Sequence, residues 1–256
     1  MTKAKWLALA SIVVLTGCGA TTSVVSNNSA SPTTGQASAA PQGGSFLDEK
    51  IPANILNIPL VDADGKTFTL ASLAGQNVVI SNFLTSCQEI CPMTSANMRD
   101  IADALNKGPA AAKVKVLEIS VDATTDTPAR LAAYQALFGE KSWTLATGTI
   151  ADLNNLWTYF GAPAEEKKGG EGIDWQTGKP VTHDFVHADL VLIVGADSHW
   201  KWLDLGSPKT AKGDIPTKLK AFLSADGKNN LAKPEEPTWT ISAVLGALSV
   251  LTGEKL

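Results

Sequence analysis

Two closely spaced cysteines and three late histidines carry most of the chemistry open to this chain. Cys87 and Cys91 stand in Cys87-Gln-Glu-Ile-Cys91-Pro92, and His183, His187 and His199 fall within a short stretch near residue 190. The cysteine pair lies where an apolar strand runs into a helix. A helix N-terminus presents unpaired N–H groups and the positive end of the macrodipole, and both favour the thiolate, the form that attacks disulfides and binds metals. Glu89 works against this by placing negative charge nearby. A purely structural disulfide is the plain alternative, but a bridge across three residues closes a very small loop and adds little stability. Two thiolates with an imidazole suit soft or borderline metals, Cu(I), Cu(II) or Zn, and charge balance favours copper. His187 directly precedes a strand, where a fixed backbone holds geometry well. His183 lies in a Gly-rich loop, and His199 belongs to the far turn of a hairpin.

The elements that must position these residues are legible in outline. Val78 to Leu84 is an apolar, β-branched run and reads as a buried strand. A helix is expected from Pro92, with Met98, Ile101, Ala102 and Leu105 on its apolar face, ending at Lys107-Gly108-Pro109. Val114, Val116, Ile119 and Val121 mark a second strand. Thr127-Pro128 opens a helix that buries Leu131, Tyr134 and Phe138. Trp143 to Ala146 is a short strand, and Thr149 caps a helix with Leu153, Leu156, Trp157 and Phe160 on one face. Leu190–Val194 and Trp200–Leu205 form a hairpin, and Asp214-Ile-Pro216 opens a helix to about Leu223. Alternating strands and helices with a late hairpin predict an α/β fold with a mixed sheet. Pro163 to Thr182 reads as a surface loop. Residues 224–256 read as a linker followed by an apolar helix, Trp239 to Leu251, docked on the domain.

Composition narrows the classes. The 256 residues carry a net charge of −4, which leaves no basic patch for nucleic acid. Three cysteines cannot make a dense disulfide scaffold, and no apolar run reaches the roughly 20 residues of an ordinary membrane-spanning helix. Lys3 and Lys5 precede the apolar run Trp6 to Leu15, so residues 1–17 read as a secretory signal. The small residues in Leu15-Thr16-Gly17-Cys18 resemble a lipobox, which implies lipidation of Cys18 and cleavage before it. Residues 18–45 are Ser-, Thr-, Ala- and Gly-rich without charge and are expected to form a flexible tether, with the domain over 46–223.

Three blocks together carry a family resemblance: Phe83-Leu-Thr-Ser-Cys87-Gln-Glu-Ile-Cys91-Pro92, then Ser120-Val-Asp122-Ala-Thr-Thr-Asp126-Thr-Pro128, then Val186-His187-Ala-Asp-Leu-Val-Leu-Ile-Val194. In this order they resemble the motifs of the Sco (SenC) proteins. The resemblance implies a thioredoxin-like fold. It also implies copper held by Cys87, Cys91 and His187, with Cys87 and Cys91 as a redox pair. It implies a role in delivering copper to, or reducing the cysteines of, the binuclear copper centre of cytochrome c oxidase. The expected partners are then the copper-centre subunit of a terminal oxidase, a thiol reductant or copper donor, and the membrane, reached through a lipid anchor in the cell envelope facing away from the cytoplasm. This chain departs from the family in having Gln88-Glu89 near the usual Pro-Asp, Val186 and Ala188 around the histidine, and Gly195 at the end of the next strand. A metal-independent thiol–disulfide oxidoreductase would use the same cysteines. A thiol peroxidase would want a threonine three residues before its cysteine, whereas Thr85 stands two before Cys87.

Overall fold

The computed structural model describes residues 43–139, 141–170, 172–209 and 215–256. The expected signal segment, Cys18, nearly all of the expected tether and Asp214 lie outside the described residues. In chain order the elements are β1 (Ser45–Lys50), α1 (Ala53–Leu56), β2 (Leu60–Asp62), β3 (Thr67–Phe68), β4 (Asn77–Phe83), α2 (Cys91–Asn106) and β5 (Val114–Ser120). There follow α3 (Pro128–Leu137), β6 (Thr144–Thr147), α4 (Ile150–Tyr159), β7 (Glu165–Lys168), β8 (His183–Val186), β9 (Leu190–Val194) and β10 (His199–Leu205). The chain closes with β11 (Ser207–Pro208), α5 (Thr217–Phe222), α6 (Ala225–Ala232), β12 (Thr238–Trp239) and α7 (Ile241–Thr252).

Eight strands form one mixed sheet in the order β1-β10-β9-β4-β5-β6-β2-β3. β4 lies inside it, parallel to β5 from Asn77↔Val114 to Phe83↔Ser120 and antiparallel to β9. Its apolar run has no solvent face to supply, which is why it lacks the alternation of a half-exposed strand. A parallel strand–helix–strand unit joined in one sheet to an antiparallel hairpin, β9–β10, makes the fold thioredoxin-like. Sequence chemistry sets the helix starts. Thr127 accepts from the Arg130 N–H at 3.3 Å with Pro128 next in line, and Thr149 accepts from the Asp152 N–H at 3.2 Å. Helix α2 begins one residue earlier than expected, at Cys91, with Pro92 still in its first turn.

Three segments differ from expectation. Residues 163–182 are not a plain surface loop: Glu165–Lys168 pairs with His183–Val186, and Asp174 and Trp175 are buried. The run Glu-Glu-Lys-Lys has no apolar alternation, so its pairing left no hydrophobic signal. The stretch after Ser224 is not a linker. Ser224 accepts the Gly227 N–H at 3.0 Å and caps α6. Ser45, assigned above to the tether, opens edge strand β1 and pairs with Leu203.

Helix α7 is capped by Thr240, ends at left-handed Gly253 (φ 70°), and buries Ala243, Val244, Ala247 and Leu248 while packing against α2. Leu248 has no exposed surface. Leu248→Ala is expected to cost about 2–5 kcal/mol through lost burial and the cavity left behind, read as a lower midpoint in urea denaturation with an unchanged slope.

Candidate functional site

The last residues of β4 deliver the chain to the cysteines. After Phe83, Leu84, Thr85 and Ser86 are buried, and Cys87 emerges half-buried at the turn. Cys91 opens α2 and is 1% exposed. The Cys91 N–H points at Cys87 Sγ, 3.4 Å away, and both thiols are free. The turn treats the two sulfurs oppositely. The Cys91 thiol and the N–H groups of Cys91, Glu89 and Ile90 bring the Cys87 thiol below its ordinary range, overcoming burial. Burial first, then the neighbouring Cys87, pushes Cys91 well above it. This is the split expected of an attacking and a resolving thiol at a helix N-terminus.

His187 faces the same place. It and Cys87 line one cavity of about 450 Å³, whose wall also holds Glu89, Asp184, Asp189 and Asp226. The His187 side chain is 6% exposed. Its Nδ1 lies 3.1 Å from Asn82 Nδ2, and the same amide donates to Ala188 O at 2.7 Å while Asn82 Oδ1 accepts the Leu190 N–H at 3.3 Å. The two backbone bonds fix which end of the amide faces the ring, so a donor faces Nδ1. Asp189 stands 3.8 Å from that nitrogen, its carboxyl raised by burial against the opposing pull of His187.

The other two histidines are engaged elsewhere. His183 lies on β8, with Nε2 3.0 Å from both Asp122 and Thr125 Oγ1. His199 Nδ1 meets Asp48 at 2.6 Å on the edge pair β1–β10. Cys87 and His187 are therefore brought to one cavity with Cys91 behind, but their ligating atoms are not yet gathered. Among the described residues, the one trio of His, Cys or acidic groups within 4.8 Å of one another is Asp48, Asp197 and His199. The Lys201 ammonium already sits on both of its carboxylates.

A buried polar cluster braces the approach to Cys87. Asp126, fully buried, accepts from the Thr85 N–H at 3.1 Å and from the Thr85 and Ser120 hydroxyls at 2.5 Å each. Burial lifts its carboxyl to about 6 against these bonds. Arg130 Nε donates to Thr85 Oγ1 at 2.5 Å, its guanidinium pairs with Asp174, and it lies 5.1 Å over the Trp175 ring. Burial works to raise Asp174, and the bonds from Arg130 and Thr177 overcome it, leaving it at about 2. Trp175 Nε1 donates to Thr85 O at 2.7 Å. The Thr85 hydroxyl is thus consumed inside the protein, away from the role a peroxidase threonine would play.

Sequence reasoning missed Asn82, Asp189, Arg130 and Asp174. Asn82 left one signal, a polar pair Ser81-Asn82 inside an apolar strand with no solvent face. Asp174 and Arg130 lie 44 positions apart, and nothing local joins them.

A thioredoxin-like sheet with a thiol pair at the head of its first long helix, and a histidine across the same cavity, defines a dithiol protein equipped with soft-metal donors. The chain belongs to the SCO1/SenC family, whose model matches residues 57–224. It is 27% identical over 108 residues to an SCO1 protein homolog of Bacillus subtilis, covering 41% of this chain and 55% of that protein. Against an SCO2-like protein of Rickettsia conorii it is 34% identical over 84 residues, covering 32% of this chain and 39% of the other. The chain thus spans about half or less of the length of these relatives. Among solved structures, Bradyrhizobium japonicum ScoI with copper bound aligns at 24% identity and a TM-score of 0.48, over 56% of this chain and 83% of that one.

Two expectations follow. At neutral pH iodoacetamide should modify Cys87 about tenfold or more faster than Cys91, as the more exposed and more acidic thiol; peptide mass spectrometry after brief exposure reads the order, and equal rates would contradict the asymmetry. The second concerns Glu118 on β5, fully buried between Ser95 of α2 and Trp143, its carboxyl raised by burial to about 8 from 4.5. Between those values the unfolded chain gives up a proton that the folded one keeps. Stability should therefore fall as pH rises from about 4.5 to 8, by up to about 1.4 kcal/mol per unit, and Glu118→Gln should flatten that slope in denaturation measured across the range.

Proposed function

We propose that this protein binds copper through Cys87, Cys91 and His187 and passes it to, or prepares by reduction the cysteines of, the binuclear copper centre of cytochrome c oxidase. One observation carries the reading: Cys87 and His187 share an acid-lined cavity, with Cys91 hydrogen-bonded behind. Two sulfurs and an imidazole fit copper as cargo, since soft donors select Cu(I) and imidazole suits either state. The chain's own residues do the holding. The α2 N-terminus stabilises the Cys87 thiolate, Cys91 supplies the second sulfur, and His187 turns from Asn82 to offer Nδ1 or Nε2. Lipidation at Cys18 would keep the domain at a membrane of the cell envelope, facing away from the cytoplasm, within reach of the oxidase subunit.

The split thiols support a second reading, metal-independent thiol–disulfide exchange. The Cys87 thiolate attacks a substrate disulfide and releases one thiolate, which takes up a proton. Cys91, losing its proton, attacks Cys87 Sγ and frees the second thiol. The substrate leaves reduced by two electrons, and the Cys87–Cys91 disulfide returns to the dithiol through a partner thiol reductant. The two readings share a state, because only the reduced pair has sulfurs free for copper.

Cu(II) added to reduced protein should give intense sulfur-to-copper charge-transfer absorption. That absorption should vanish in Cys87→Ser and Cys91→Ser, weaken and shift in His187→Ala, and survive in His183→Ala, where the imidazole is tied to Asp122. Disulfide exchange that persists in His187→Ala while copper binding is absent from the wild type would favour the second reading.

A further inference from the structure

Gln88, the residue directly after Cys87, is held by two segments remote in sequence. Its carbonyl oxygen accepts the Ser224 N–H at 3.0 Å and the Ser224 hydroxyl at 3.4 Å. Gly227, in the first turn of α6, packs against the same oxygen so closely that a Cβ there would stand 2.0 Å from it. On the other side, a Cβ on Gly172 would stand 2.6 Å from Gln88 Nε2. Gly172 has φ +77°, which by itself calls for glycine. Gly227 does not have a positive φ, and inside a helix glycine is a poor choice beside alanine. Close approach to the peptide between the cysteines is what explains its identity.

The contact is built on purpose-made chemistry at both ends. Ser224 caps α6 by accepting the Gly227 N–H, and through its own N–H it holds Gln88. The helix and the cysteine turn are thus fastened by one residue. Ser224 is the last residue matched by the family model, and the helix it caps, with Gly227, follows that match.

We infer that α6, acting through Ser224 and Gly227, positions the Cys87–Cys91 turn and thereby sets the balance between its dithiol and disulfide states and the geometry it offers to copper. Closing the disulfide must bring Cys87 Sγ onto Cys91 Sγ, and Cys91 is fixed on a buried helix. Any rearrangement falls on the peptide that α6 grips. Gly227 reaches the turn through Gln88, whereas Ser224 also lines the cavity that Cys87 and His187 share, so Gly227 is the cleaner probe of positioning. The inference rests on Cys87 and Cys91 being the working pair.

The test equilibrates the full chain with glutathione. Glutathione disulfide takes two electrons from the dithiol, forming the Cys87–Cys91 bridge and two glutathione thiols, and the ratio of protein forms gives the constant. Gly227→Ala, which on helix propensity alone should strengthen α6, is expected to shift the constant about tenfold and to move the Cu(II)–thiolate absorption in protein that remains folded by circular dichroism. Ser224→Ala should shift it in the same sense by less, and Ser224→Thr, which keeps the hydroxyl, should restore it. An unchanged constant and unchanged absorption in Gly227→Ala and Ser224→Ala would overturn the inference. If Gly227→Ala does not fold, the Ser224 pair decides: Ser224→Ala indistinguishable from wild type overturns it. A wild type that takes no copper, yet whose glutathione constant moves with these substitutions, would retain the positioning role and remove only the copper reading.

Discussion

A carboxyl group sealed from water must find its partners inside the protein, and Asp126 finds them in the residues that aim the cysteines. An unpaired buried carboxylate is among the most costly groups a fold can hold. Asp126 escapes that cost by accepting from Thr85 twice and from Ser120 once, so the end of β4 and the end of β5 are locked in register beyond the sheet itself. Arg130 extends the lock to α3 and, through Asp174, to the long segment after α4. Trp175 completes it by bonding the Thr85 carbonyl. Three groups, Asp126, Arg130 and Trp175, thus meet on the residue two positions before Cys87. Removing any of them leaves a donor or acceptor stranded in the interior, so the cluster holds or fails together.

The histidine side has a separate brace. Asn82 projects from β4 and spends its amide on Ala188 O, the Leu190 N–H and His187 Nδ1, which fixes the entry of β9 against the strand that leads to the cysteines. One strand therefore positions both halves of the site, through its end for the sulfurs and through a side chain near that end for the imidazole. His183 is withdrawn by Asp122 and Thr125 into the turn after β5. His183 and His199 are each held by a carboxylate, and neither lines the cavity that His187 shares with Cys87.

The parts readable in the sequence were those whose cause is local. The continuous apolar run of β4 announces a strand buried on both faces, and Thr127-Pro128 and Thr149 announce helix starts through caps that reach only three residues. The thiol pair at a strand–helix turn and His187 before β9 were legible for the same reason. What could not be read depends on partners far along the chain. β7 is four charged residues whose only reason to be extended is β8. Asp174 is buried because Arg130 is there, and Gly227 is glycine because Gln88 O occupies the space a side chain would need. Helix α6 has a weak apolar face, so the stretch after Ser224 carried the composition of a linker.

The packing of α7 on α2 has a consequence for the order in which the molecule comes into being. Cys91 opens α2, and part of the surface that packs on that helix is supplied by α7, made about 150 positions later. A chain that emerges from its N-terminus onward carries both thiols into its surroundings before that cover exists. The helix that Cys91 opens is therefore completed by one of the last segments to arrive.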